Sequence, residues 1–138
     1  MTHCTVKLAS YESYLADEYA KDVQASYRDL EERERQAMLQ KFPHSAVLQL
    51  AYAELDYSNR WCWEHFGPSD GECMQSDSEY RTCERVGPHS HEGRWHSRWL
   101  AKTDYDFGYN EWYFASAADR ADFLEFVPGI NWGEHYPK

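Results

Sequence analysis

RWHSRWLAKTDYDFGYNEWYFAS, residues 94–116, is dense in aromatic side chains on either side of a turn. Two aromatic-rich runs, RWHSRWLAKT and NEWYFAS, flank the turn-like DYDFGY. Aromatic side chains suit the pleated, half-buried surface of a sheet, so the two runs are expected to pair as a β-hairpin. Immediately after them, Ser116 with Asp119 three residues on forms a capping signal for a short helix, AADRADFLEFV, which Pro128 and Gly129 stop. The tail INWGEHYPK reads as loop.

Towards the N-terminus the periodicity changes. THCTVKL, residues 2–8, is a candidate edge strand. Ser10 can cap a long helix in which Tyr11, Leu15, Tyr19, Val23, Tyr27 and Leu30 recur every three or four residues on one face. Within RDLEERER, the pairs Arg28 and Glu32, Asp29 and Arg33, and Glu31 and Arg35 have the spacing of solvent-exposed helical ion pairs, so this face is expected to be wet. Pro43 interrupts the pattern. A second helix is expected from about residue 45, with Val47, Leu48, Ala51, Leu55, Cys62 and Phe66 as its apolar stripe and Gly67-Pro68 as its stop. Two helices joined by a short break suggest an antiparallel helical hairpin with a tyrosine-rich seam. Helices first and the β-hairpin later make an α+β class: an N-terminal long helical hairpin, a polar Cys/His loop, and a C-terminal aromatic β-hairpin plus short helix. With no internal repeat or linker, residues 1–138 read as a single domain.

Composition narrows the function classes. The chain is 42% hydrophobic and 28% charged, enough apolar content to fold, with a mean hydropathy of −0.88 that predicts a polar surface. Neither a signal peptide nor an apolar run of membrane-spanning length is read, which points to a soluble protein of the cytoplasm, a host cytoplasm included. In that compartment Cys4, Cys62, Cys73 and Cys83 are expected as free thiols or metal ligands rather than disulfides. The formal net charge is −10, from 24 acidic and 14 basic residues, which disfavours direct nucleic-acid binding and favours a partner with a basic surface.

Residues 68–93, PSDGECMQSDSEYRTCERVGPHSHEG, have little capacity to form core. A structureless loop of this length is uncommon in a compact domain unless it is functional, disordered or stapled. Cys62 and His65 (C-x2-H), His89 and His91 (H-x-H), and Cys73 and Cys83 between them supply ligand types from which four could form a tetrahedral structural zinc site. The gaps match no ordinary zinc-finger spacing, and the competing reading makes Cys62 a small buried hydrophobe and the histidines an exposed turn. Cys83 with His89, or Cys62 with His65, could also pair as thiol and base in a small metal-dependent or thiol enzyme. Glycine-rich cofactor loops, nucleophile elbows and H-E-x-x-H helices are absent from the sequence, so no catalytic residue is assigned.

TDYDFGYNEWYFAS concentrates acids and interface-type aromatics, and Asp104, Tyr105, Asp106, Tyr109, Glu111, Trp112 and Tyr113 are its candidate partner-binding residues. Acids steer a basic partner while desolvated aromatics anchor it. Strand alternation offers the competing assignment, with Trp112 and Phe114 in the core while Tyr113 and the acids face water. The expected function is a small, acidic, aromatic-rich, non-enzymatic binding protein that blocks a basic, nucleic-acid-binding type of site on another protein; a structural subunit of a larger assembly is the third alternative. In size, acidity and lack of catalytic motifs the chain resembles, by general type only, virus-encoded inhibitors such as anti-CRISPR and anti-restriction proteins.

Overall fold

The computed structural model describes residues 6–16, 25–67, 69–72, 90–91, 93–100, 107–130 and 132–135. In chain order the elements are β1 (Lys7–Ala9), α1 (Tyr11–Ala16), α2 (Ala25–Lys41), β2 (His44–Ala51), α3 (Tyr52–Phe66), β3 (Gly71–Glu72), β4 (Ser90–His91), β5 (Trp95–Trp99), β6 (Phe107–Phe114) and α4 (Ala117–Phe126). A 3₁₀ turn at Val127–Gly129 and α5 (Trp132–His135) follow. Four strands form one antiparallel sheet in the order β1-β2-β6-β5, and β3 pairs with β4 separately.

The β5-β6 hairpin is present, with Trp95 opposite Phe114 and Trp99 opposite Asn110. β6 starts at Phe107, earlier than the NEWYFAS run, because β2 pairs along its whole length, from His44 opposite Phe114 to Ala51 opposite Phe107. That pairing corrects the helical hairpin: HSAVLQLA is a central strand, and the helix begins only at Tyr52. Its leucines and alanines are good helix formers, and its apolar positions fit either period over so short a span. Partners on both edges, β1 and β6, decide the matter. The tail is likewise corrected, since Trp132–His135 is helical.

One face of the sheet is dry. Alternation puts Ala46, Leu48 and Leu50 of β2 with Trp112 and Phe114 of β6, and they join Leu55, Trp61, Cys62 and Phe66 of α3 and Phe123 of α4 in one buried cluster. The Phe123 ring lies 4.9 Å from that of Trp112 and 5.2 Å from that of Phe114, so it fastens α4 to β6. Trp112 can be wholly buried because its indole N–H donates to Asn59 Oδ1 at 3.0 Å, an oxygen that also accepts from Ser97 Oγ at 2.9 Å.

The helices on this face begin and end as their terminal chemistry requires. At the start of α3 the Glu54 carboxylate accepts from the Ala51 N–H at 2.9 Å. At its end Gly67 takes φ +87°, a conformation that side chains disfavour, and donates its N–H to Trp63 O at 2.9 Å. Ser116 caps α4 as its sequence implies, accepting from the Asp119 N–H at 3.1 Å. The buried Asp119 carboxylate is held by Arg94, through Nε at 2.9 Å and Nη2 at 2.6 Å.

Candidate functional site

The other sheet face is polar, and α1 and α2 cover it. Alternation along β6 turns Tyr109, Glu111 and Tyr113 to this side, and all three are buried. Arg35 of α2 reaches down to Glu111, its Nε lying 2.9 and 3.1 Å from the two carboxylate oxygens, and the Tyr113 hydroxyl donates to Glu111 Oε1. The Arg35 guanidinium also lies over the Tyr11 ring, 3.9 Å from its centroid. One helical turn earlier, the buried Glu31 accepts from the hydroxyls of Tyr11 and Tyr14, each at 3.2 Å. The Tyr14 ring meets Tyr109 edge-on at 5.2 Å.

The electrostatics follow from burial beside carboxylates. Burial, followed by the neighbouring acids, raises the hydroxyl pKa values of Tyr11, Tyr14 and Tyr113 well above the usual phenol range. Burial works against the charge on Arg35, but its hydrogen bonds to Glu111 outweigh that and raise its pKa. These groups therefore stay in fixed protonation states around neutrality.

This layer opens at one end into a cleft of about 600 Å³ between α2 and β5. Its α2 wall is Glu34, Ala37, Met38 and Lys41, four positions on one helical stripe; Asp70, His96, Arg98 and Trp99 line the rest. Lys41 Nζ lies 2.7 Å from Asp70 Oδ2, and Arg98 Nη2 lies 2.8 Å from Glu34 Oε1. The second oxygen of Asp70 accepts from the Gly93 N–H at 3.0 Å. Burial alone would raise the Asp70 pKa; the bonds from Lys41 and Gly93 overcome it and the pKa is lowered. His96 Nδ1 lies 3.0 Å from the Asp70 carbonyl oxygen. A carbonyl only accepts, so Nδ1 carries the hydrogen, and burial lowers the ring's pKa so that neutral imidazole, with its lone pair on Nε2, is favoured.

Several sequence expectations are corrected at these positions. Tyr109, Glu111, Trp112 and Tyr113 are at most 8% exposed, so they are core and not a contact surface. The physical reason is that helices cover both faces of β6, which leaves strand alternation no wet side. Asp104, Tyr105 and Asp106 lie outside the described residues. RDLEERER is not uniformly wet either: Glu31 and Arg35 turn inward while Leu30 of the expected apolar face is 45% exposed. Of the candidate metal ligands, Cys62 is enclosed in the dry core, where burial first and Asp119 second raise its thiol pKa. His65 is exposed, its ring stacked on Trp61 at 4.0 Å and its Nδ1 2.8 Å from Trp61 O. The backbone of His91 pairs with Gly71, whereas Cys73, Cys83 and His89 lie outside the described residues. Among the described residues no group of three or more His, Cys, Asp or Glu could hold a metal ion.

Sequence reasoning missed His96, Lys41 and Asp70 as a group. Their spacing carries no motif, since a helix end, a turn and an edge strand bring them together. Comparison with protein-family models, with curated proteins and with solved structures finds no match in any of the three. Among the described residues no helix is long and apolar enough to cross a membrane.

Proposed function

We propose that this protein is a non-enzymatic binding protein that occupies a basic site on another protein, of the kind that otherwise holds nucleic acid. The observation that carries the reading is Phe126, 51% exposed on the outer face of α4. Asp122 and Glu125 are exposed beside it on the same helical stripe, and the ring lies 6.3 Å from that of Trp61, next to the exposed Glu64 and His65 of α3. An aromatic anchor within an acidic rim is the combination that suits a Lys- and Arg-rich partner. Two cations nearby are already committed, Arg94 to Asp119 and Arg60 to Glu64, whose Nε–Oε2 distance is 3.3 Å. The acidic and aromatic contact expected for residues 104–113 is thus reassigned in part to α4, with Asp104, Tyr105 and Asp106 kept as a second part of the proposed surface.

The test compares the wild-type chain with Phe126→Ala and with Asp122→Lys/Glu125→Lys as immobilised baits in lysate of the host cell. The reading expects a nucleic-acid-binding protein that is retained by the wild type, released by salt or by competing DNA, and lost with both variants at unchanged melting temperature. Equal retention by the variants, or captured proteins that DNA does not displace, would sink it.

A further inference from the structure

We propose that the cleft between α2 and β5 binds a small organic oxyanion, a carboxylate or phosphate monoester attached to an apolar group. The inference is independent of the α4 surface, because the cleft lies on the opposite, polar side of the sheet.

The cleft holds more hydrogen-bond donors than its own carboxylates engage. Both Asp70 oxygens are already engaged, by Lys41 and by the Gly93 N–H. Glu34 has one oxygen engaged, by Arg98. The ammonium of Lys41 has three donors and the guanidinium of Arg98 has five, so donors outnumber the acceptors that face them. Lys41 and Arg98 line the same cavity from opposite walls, one on a helix and one on a strand, so an oxyanion between them can take charge-assisted bonds from both. The ammonium is a point charge and the guanidinium a planar fork, a pair that serves a carboxylate or a phosphate equally. The Met38 side chain, between Glu34 and Lys41 along α2, supplies adaptable apolar surface for the rest of the ligand. A volume of about 600 Å³ falls within the range of small-molecule sites.

The electrostatics of the cleft make a prediction with two signs. Lys41 has a side chain 58% exposed, and Glu34 has one 54% exposed, so either can be changed without opening the core. Lys41→Gln removes one charge-assisted bond to the anion and should weaken binding about tenfold or more. Glu34→Gln removes a negative charge from the rim and releases Arg98, and should tighten binding.

The experiment is isothermal titration of the full chain with phenyl phosphate, benzoate and inorganic phosphate, with the His96 ring resonances followed by NMR. Saturable one-site binding of phenyl phosphate or benzoate, weaker binding of inorganic phosphate, perturbed His96 resonances, and opposite shifts for Lys41→Gln and Glu34→Gln are expected. Absence of saturation with all three probes would overturn the proposal. So would binding that neither variant changes, or that leaves His96 unperturbed. The melting temperature of each variant separates a lost site from a lost fold.

Discussion

Arg35 and Glu111, 76 residues apart in the chain, form a two-oxygen ion pair between α2 and the centre of the sheet. The Glu111 side chain is wholly buried and that of Arg35 is 15% exposed, so the pair ties a helical layer to β6 through desolvated charge. Dispersion and tyrosine rings fill the space around it, but the carboxylate decides what may replace its partner. Removing one member of a buried pair leaves the other without compensation and costs about 3–5 kcal/mol.

Arg35→Met is therefore expected to destabilise the domain by about 3–5 kcal/mol, read as a shift in urea midpoint with unchanged slope. The double variant Arg35→Met/Glu111→Gln should be more stable than Arg35→Met alone, because no uncompensated carboxylate remains. A double variant no better than the single would show that the pair's contribution lies in packing.

How much of this was legible in the sequence depends on which rules were local. Ser116 and Asp119 are three residues apart, and their cap could be read because the relevant atoms belong to one turn. The β5-β6 hairpin could be read from its aromatic runs. β2 could not, since Leu48 and Leu50 fit either period and only the sheet partners of HSAVLQLA select the strand. The cleft was the least legible: Lys41, Asp70 and His96 meet through tertiary folding, and each alone is an ordinary polar residue of the sequence. Glu111 reads from the sequence as a partner-binding acid, whereas its burial depends on a helix whose inward face is charged, which reverses the usual meaning of RDLEERER.

His96 gives the domain a pH dependence whose sign is fixed by its surroundings. Burial holds its folded pKa below the usual imidazole value of 6.5, partly opposed by the Asp70 carbonyl and carboxylate, while Arg98 and Lys41 push it further down. The unfolded chain then binds the proton more readily. The contribution to stability is full above about 6.5 and is lost as pH falls towards the folded pKa. Between about pH 7.5 and pH 5.5 the wild type should lose more stability than His96→Gln, measured by urea denaturation across the window. Asp70 acts in the same direction at lower pH: its folded pKa lies below 3.8, so its contribution is lost only as pH falls past that value. A His96→Gln profile parallel to the wild type would remove the imidazole as the titrating group.

Cys62 is expected to be chemically silent in the folded protein. Its side chain is wholly buried, and burial keeps the thiol protonated, whereas the thiolate is the reactive form. Maleimide labelling followed by peptide mapping should find Cys62 unmodified in the native state and modified in denaturant. Cys62→Ser should cost about 1–3 kcal/mol, the penalty of placing a hydroxyl among apolar groups. Rapid native labelling at Cys62 would contradict the closed core described for α3.

With Cys62 enclosed and His65 stacked on Trp61, four of the candidate metal ligands are left: Cys73, Cys83, His89 and His91. Two thiolates and two imidazoles would make a complete tetrahedral set, so the zinc expectation drawn from the sequence now falls on these four residues. Native mass spectrometry should then find a single zinc per chain, released by chelator. Cys73→Ser and His89→Ala should each abolish the metal while Cys62→Ala retains it. If these four residues hold zinc, its release should change the hydrogen-exchange protection of residues 73–91 more than that of β2 and β6. A metal-free protein purified under reducing, chelator-free conditions with zinc supplied would return these four residues to the exposed-turn assignment. Loss of metal in Cys62→Ala with the core intact would instead mean that the native loop draws on the α3 thiol after all.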